Sequence, residues 1–163
     1  MTTPTRYTRD QLYQARTYKT VRRAGLAADL AGGVNFNIFN VSGVSMVQYM
    51  FGHVTTLIGA GDAVPQITFT PTGGAAINLC APALTIAADP VNTLYVWDGT
   101  LGTALAPAAG IGTVDAGEST WVAGFILLVA GTIRITNAVG STGIIDWYIS
   151  YLPLVDTTII TAL

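Results

Sequence analysis

Residues 144–152 read Ile-Ile-Asp-Trp-Tyr-Ile-Ser-Tyr-Leu and carry the clearest structural pattern of the chain. Ile145, Trp147, Ile149 and Tyr151 occupy every second position, which is the period of a β-strand with one buried face. The residues between them are mixed in character. The pattern therefore predicts a strand over Ile144–Leu152 with the Trp147 side directed at a hydrophobic core.

Segments of similar character precede this strand and follow it. Val34-Asn-Phe-Asn-Ile-Phe-Asn-Val41 alternates apolar and polar residues for most of its length. Further predicted strands, separated by Gly, Pro and Asp turns, are Val44–Phe51, Val54–Ile58, Gln66–Thr70, Ile77–Cys80, Ala83–Ala87, Thr93–Trp97, Thr120–Ala130, Thr132–Asn137 and Thr157–Thr161. We predict a long loop for residues 99–119, which are rich in Gly, Ala and Thr. Many short strands with such turns indicate an all-β fold, a single antiparallel β-sandwich or jelly-roll-like domain.

Charge is distributed unevenly along the chain. Six of the 7 basic residues and one acid, Asp10, lie in residues 1–23, which carry a net charge of +5. The remaining residues contain one base, Arg134, and eight acids, for a net charge of −7. We divide the chain into a basic N-terminal arm, residues 1–33, and a β-sandwich body, residues 34–163, with the boundary at Gly32-Gly33.

The arm has the composition of a binding segment. We expect it to be extended or partly helical, with a weak helical stripe over Asp10–Ala28. Cations interleaved with tyrosines suit contacts with an anionic surface or with protein. The expected partner-binding residues are Arg6, Tyr7, Arg9, Tyr13, Arg16, Tyr18, Lys19, Arg22 and Arg23. We expect that deleting residues 1–23 leaves the body folded.

The body has unusually few charges for a protein surface. Only 10% of the whole chain is charged, against roughly 25% in an ordinary soluble protein. Such a surface favours coverage by other subunits, so we predict an oligomer, a homotrimer in the first instance.

Residues for catalysis or metal binding are scarce. The single His53 has no G-x-S-x-G motif to support a hydrolase, and we interpret it as structural or surface-exposed. The single Cys80 is interpreted as a small buried hydrophobe, and one Cys with one His cannot build a zinc site within a chain. We predict no enzyme activity, no catalytic residues, no cofactor and no metal.

Membrane association is not predicted either. The strongest apolar run, Trp121–Ala130, is about half the length that a membrane-spanning helix needs. The basic N-terminus is not followed by the compact apolar core of an export signal.

The C-terminal third resembles the closing strands of small β-sandwich virion proteins of tailed bacteriophages. The residues that carry the resemblance are Ile133-Arg-Ile-Thr-Asn137 and Gly143-Ile-Ile-Asp-Trp-Tyr-Ile-Ser-Tyr-Leu-Pro-Leu154. Capsid decoration (cement) proteins of that group clamp the joints between major capsid subunits, often as trimers with an N-terminal arm lying on neighbouring subunits. The resemblance implies a structural protein on the capsid surface, assembled in the host cytoplasm and partnered by the major capsid protein and by itself.

Two other functions remain open at this stage. A small jelly-roll coat protein would package nucleic acid through its arm, but +5 neutralises few phosphates, so we do not expect nucleic acid as the partner. A carbohydrate- or receptor-binding module of a phage fibre or tail would use Trp97, Trp121 or Trp147 as a sugar platform, if one of them were exposed.

Overall fold

The computed structural model describes residues 17–61, 63–80, 86–97, 106–108 and 126–163. Within these ranges the chain forms one short 3-10 helix, Ala27–Leu30, and eleven strands. The strands are β1 (Lys19–Arg23), β2 (Val34–Val41), β3 (Ser45–Thr56), β4 (Pro65–Pro71), β5 (Ile77–Asn78), β6 (Leu94–Trp97), β7 (Ala106–Ala108), β8 (Ile126–Leu128), β9 (Gly131–Asn137), β10 (Ile144–Pro153) and β11 (Ile160–Ala162).

The strands build two antiparallel sheets. The front sheet has the order β1-β10-β3-β6-β7, and β8 pairs with the Ser45 end of β3 on the side where β6 pairs with its middle. The back sheet has the order β11-β2-β9-β4-β5. Consecutive strands often change sheet, as β2, β3 and β4 do, so the chain ties the two sheets together. The predicted all-β antiparallel sandwich is confirmed.

The core lies between the sheets and follows the predicted alternation. Ile145, Trp147, Ile149 and Tyr151 of β10 are all at most 2% exposed. They share one hydrophobic cluster with back-sheet residues such as Ile135. Because neighbouring residues of a strand face opposite ways, the period-2 pattern alone determines which side of β10 is buried.

Gly52 joins two predicted strands into one. The sequence suggested a break between Val44–Phe51 and Val54–Ile58, but β3 runs unbroken from Ser45 to Thr56. Gly52 lies opposite Trp147, and a Cβ at this position would come within 2.9 Å of the Trp147 ring. The glycine therefore makes room for the indole and does not end the strand.

The helix predicted over Asp10–Ala28 is wrong for Lys19–Arg23, whereas Ala27 and Ala28 do lie in a helical turn, the 3-10 helix. Lys19–Arg23 is strand β1, which pairs with β10 and places Val21 against the core. Pairing with β1 gives the backbone N–H and C=O groups at the edge of β10 hydrogen-bond partners and turns one side of the segment towards the core. A weakly amphipathic helix would do neither. The sandwich thus begins before the boundary predicted at residue 33.

An ion pair fixes β1 to the body. Arg23 is 5% exposed, and its guanidinium contacts the 2% exposed carboxylate of Asp29 in the 3-10 helix. Arg23 Nε also donates to the backbone oxygen of Leu163 at 3.0 Å. A buried charge without its partner is strongly destabilising, so β1, the 3-10 helix and the C-terminus depend on one another.

The other predicted strands and the predicted loop agree with the structure only in part. A short strand, Ala106–Ala108, falls inside the predicted loop 99–119, whose other residues lie outside the described ranges. The predicted strand Thr120–Ala130 is described from residue 126 onwards and is a strand over Ile126–Leu128. Most of Ala83–Ala87 is not described, and its last two residues, Ile86 and Ala87, are not in a strand. The terminal strand is shifted to Ile160–Ala162.

Candidate functional site

The outward side of the front sheet carries the most unusual surface of the described chain. Strand alternation turns these side chains away from the core, and they come from four strands. The front face, as we name this surface, consists of Met46, Tyr49, Phe51, Leu94, Val96, Leu127, Ile144, Tyr148 and Leu152. Most are half-buried, and Leu127 is 58% exposed. Asp146, His53 and Ser150 lie on the same side of the sheet, but so many outward aliphatic and aromatic side chains are unusual for a protein that meets only water.

Strand register arranges the front face in rows. Tyr148, Phe51 and Val96 lie side by side across β10, β3 and β6. A second apolar row, Leu152, Met46 and Leu127, crosses β10, β3 and β8. Cross-strand neighbours on one side of a sheet are in contact distance, so each row is a continuous apolar strip.

Aromatic rings stack at the middle of the front face. The Phe51 and Tyr148 ring centroids are 4.6 Å apart with planes inclined by only 6°. Tyr49, two residues before Phe51 on β3, also stacks with Phe51, at a centroid distance of 6.3 Å and an interplanar angle of 28°. β3 has an irregularity next to the stack: its register against β10 shifts between Ser150 and Tyr151, so that Gln48 has no paired residue on β10. This β-bulge rephases β3 so that Val47 and Met50 both face the core while Tyr49 and Phe51 face outward.

A row with two polar members crosses the front face between Tyr148 and Ile144. Asp146, His53 and Leu94 lie opposite one another on β10, β3 and β6. The Asp146 carboxylate accepts hydrogen bonds from Arg22 Nη2 at 2.6 Å and from the Gly25 N–H at 2.8 Å. His53 Nε2 lies 3.1 Å from Asn92 Oδ1. The Asp146 carboxylate is therefore neutralised within the chain by Arg22.

The environment of Asp146 favours its ionised form. Burial alone would raise the pKa of this carboxyl group, but the Gly25 N–H and the Arg22 guanidinium outweigh it and hold the pKa below its ordinary value. Asp146 is only 4% exposed although it points away from the core, because Arg22 covers it.

The opposite exterior surface is polar and almost uncharged. The back face consists of the outward side chains of β2, β4 and β9, namely Asn35, Asn37, Asn40, Gln66, Thr68, Thr70, Thr132, Arg134 and Thr136. Thr136 Oγ1 donates to Asn35 Oδ1 across the strands at 2.6 Å. Amides and hydroxyls hydrate this face without charge, so the two exterior faces of the sandwich differ sharply.

The predicted arm residues divide into two groups. Arg6, Tyr7, Arg9, Tyr13 and Arg16 lie outside the described residues. Tyr18 and Lys19 are exposed, and the Arg22 side chain is 58% exposed while bound to Asp146. Arg23 belongs to the buried ion pair and so stabilises the fold instead of facing a partner.

The described residues contain little that resembles a reaction centre. No group of three or more His, Cys, Asp or Glu side chains among them is arranged to hold a metal ion. Cys80 is buried as predicted; burial raises the pKa of its thiol, against a hydrogen bond from the Ile67 N–H. Trp97 and Trp147 are at most 2% exposed, and Trp121 lies outside the described residues.

The front face was not predicted from the sequence. The alternation Ile144, Asp146, Tyr148, Ser150 looked mixed, and only the register against β3 brings Tyr148 next to Phe51. A signal was present in Tyr49 and Phe51, two aromatic residues at strand spacing, but the bulge at Gln48 could not be foreseen.

Among the described residues, no helix is both long and apolar enough to cross a membrane. Comparison with protein-family models, with curated proteins and with solved structures gives no match.

Proposed function

We propose that this chain is a non-enzymatic structural protein of a virion, a decoration protein that binds and stabilises a capsid shell. Its partners in this proposal are the major capsid protein and further copies of itself, as a homotrimer. It acts on the capsid surface after assembly in the host cytoplasm. The resemblance of residues 133–137 and 143–154 to virion proteins supports the viral setting.

One observation carries the proposal, namely the contrast between the two exterior faces. The front face presents stacked aromatic rings and aliphatic rows, whereas the back face presents amides and hydroxyls. A subunit that works in isolation has no use for an apolar exterior, which lowers its solubility. A subunit held in a larger protein assembly covers that side and leaves the polar side to water.

The charges of the N-terminal segment fit a protein partner better than nucleic acid. Arg22 and Arg23 are already paired with Asp146 and Asp29, so fewer cations than the sequence suggested are free for phosphates. Because affinity for nucleic acid scales with the number of phosphates neutralised, the coat-protein alternative loses support. The glycan-binding alternative loses two of its three candidate platforms, since Trp97 and Trp147 are core residues.

The test uses virus particles of the genome that encodes this chain. Particles from a strain with the gene deleted are purified, mixed with the full-length protein and sedimented, and the shells are imaged by electron cryomicroscopy. We expect saturable binding at fixed positions on the shell and higher resistance of decorated particles to heat. Absence of the chain from native particles, together with failure to sediment with the deletion particles, would rule out a decorating role.

A further inference from the structure

We propose that the back face binds an acidic glycan, in which Arg134 holds a carboxylate group and the amides and hydroxyls around it hold sugar hydroxyl groups. The inference goes beyond the proposed function, which places the protein contact on the opposite side of the sandwich and leaves the back face to water. It involves none of the tryptophans considered above as sugar platforms.

Arg134 is the centre of the back face. It is the only Lys or Arg in residues 24–163 and the middle residue of β9. β9 pairs over its whole length with β2 on one side and with β4 on the other. The single basic side chain of this part of the chain is therefore presented at a fixed position on a central strand.

The Arg134 guanidinium has no partner among the described residues. The salt bridges in these ranges are those of Arg22 and Arg23. The Nε atom of Arg134 is shielded from water and has no hydrogen-bond partner there. A donor that loses water without gaining an acceptor costs free energy, and an anion that accepts from this N–H would recover that cost.

Neutral hydrogen-bonding groups surround Arg134 in register. Asn37 of β2 and Thr68 of β4 lie directly opposite it. Thr132 and Thr136 precede and follow it on the same side of β9, because side chains two positions apart in a strand share a face. Amides and hydroxyls both donate and accept hydrogen bonds, and so do the hydroxyl groups of a sugar.

The electrostatics of the back face favour a carboxylate. None of its nine side chains is acidic, so an anion that approaches Arg134 meets no like charge on this face. A guanidinium is a planar fork that binds the two oxygens of a carboxylate through parallel hydrogen bonds, and such charge-assisted bonds are stronger than neutral ones.

The polar surface has the size of a short oligosaccharide. The row from Asn37 to Asn78 crosses β2, β9, β4 and β5, which at a spacing of ~4.8 Å per strand is about 14 Å. Thr132 and Thr136 are four residues apart, or about 13 Å at a rise of ~3.3 Å per residue. Paired strands hold these groups in place before a ligand arrives, which lowers the cost of binding.

Two other classes of partner fit the back face less well. The centre of a protein interface is rich in aromatic and aliphatic side chains, and none of the nine residues is of either kind. Nucleic acid is held by several cations that neutralise phosphates, whereas the back face has one. A glycan with spaced carboxylates needs a single cation at each contact and many neutral hydrogen bonds.

The test titrates isotope-labelled full-length protein with oligosaccharides of polygalacturonate and of hyaluronan and follows its nuclear magnetic resonance spectrum. We expect saturable shifts at the Arg134 Nε–H and at backbone amides of β2, β4 and β9, and none at β3 and β10. Galacturonate oligosaccharides whose carboxyl groups are methyl esters keep most hydroxyl groups without the charge. They should bind at least about tenfold more weakly, the effect of losing one charge-assisted hydrogen bond.

Two variants assign the binding to Arg134. Arg134→Gln removes the guanidinium, and Asn37→Asp places a carboxylate beside it that competes with the ligand. Each should weaken binding by about tenfold or more. The matched control is Lys19→Gln, which removes the same charge as Arg134→Gln from an exposed position of β1 and should leave the affinity unchanged. Circular dichroism that matches the wild type establishes that each variant is folded.

The outcomes separate this inference from the proposed function. Absence of back-face shifts with both oligosaccharides, or wild-type affinity in folded Arg134→Gln protein, overturns the glycan site. Equally strong binding of poly-L-glutamate would show a site for any carboxylate chain and overturns it too. The decoration proposal stands in each case, because Arg134→Gln protein should still sediment with shells.

Discussion

Asp146 and Trp147 are neighbours in β10 that point in opposite directions, and each illustrates what its side of the sheet requires. Trp147 faces the core, where Gly52 leaves space for its ring. Asp146 faces outward, yet it is as buried as a core residue because Arg22 and the Gly25 N–H enclose its carboxylate. The aspartate thereby links β10 to the segment that follows β1.

Asp146→Asn is expected to lower stability at neutral pH and to lose this effect in acid. The folded-state pKa of Asp146 lies below that of the unfolded chain, so its ionised form stabilises the fold above about pH 4. This contribution disappears as the pH falls through the folded-state pKa. Urea unfolding of both proteins across pH 2 to 8 should therefore show a difference in the free energy of unfolding that becomes smaller below about pH 4.

The control for this prediction is Asp156→Asn, which removes the same charge from an exposed turn after β10. The role assigned to the carboxylate would be contradicted if wild type and Asp146→Asn differed in free energy of unfolding by the same amount down to the most acidic pH.

At the scale of the strand, β10 and β1 show what a single sequence can and cannot reveal. The buried side of β10 follows from Ile145, Trp147, Ile149 and Tyr151, because a half-buried strand leaves its period in the sequence. β1 leaves no such record. It is a short edge strand that is held by its pairing with β10 and by the hydrogen bond from Arg23 to the backbone oxygen of Leu163. Both partners lie more than a hundred positions away in the sequence. Long-range pairing of this kind is invisible to any local pattern.

Because β1 (Lys19–Arg23) pairs with β10, the truncation that separates the arm from the body ends before β1 and not at residue 23. Deleting residues 1–16 keeps every described strand and should leave thermal stability within a few degrees of the wild type. Deleting residues 1–23 also removes Arg23 and leaves Asp29 buried without its cation, which should cost about 3–5 kcal/mol. Differential scanning calorimetry of the two truncated proteins measures both effects.

If the two truncated proteins lost the same amount of stability, the assignment of β1 to the body would be contradicted. The earlier expectation, that the body tolerates loss of residues 1–23, would be restored if both were as stable as the wild type.

At the scale of the whole molecule, the low charge content predicted an oligomer but not the surface responsible. Composition counts residues without placing them, and only the strand register, with its shift at Gln48, shows that Phe51 faces outward. The topology also collects the asparagines of β2 and the threonines of β9 on a single side. The sequence led to the prediction that part of the body is covered, and the structure locates the apolar side chains of the front face, which such a cover would contact.

The contact that covers the front face in the proposed assembly should respond to salt as an apolar contact does. Raising sodium chloride from about 0.1 M to about 1 M shortens the screening length from ~10 Å to ~3 Å and weakens ion pairs, whereas apolar burial is not reduced. We expect the dissociation constant of that contact, measured by sedimentation, to stay level or fall. An increase of tenfold would identify a contact driven by charge and contradict burial of the apolar front face.

The back face has a consequence for any particle that displays it. Surface amides and hydroxyls do not titrate, so their hydration is the same in mildly acidic and mildly alkaline media. Particles kept apart by like charge clump where that charge vanishes, which for this chain is near pH 5.0. The back face has almost no charge to lose at that point, so its hydration should be the same on either side of pH 5.0.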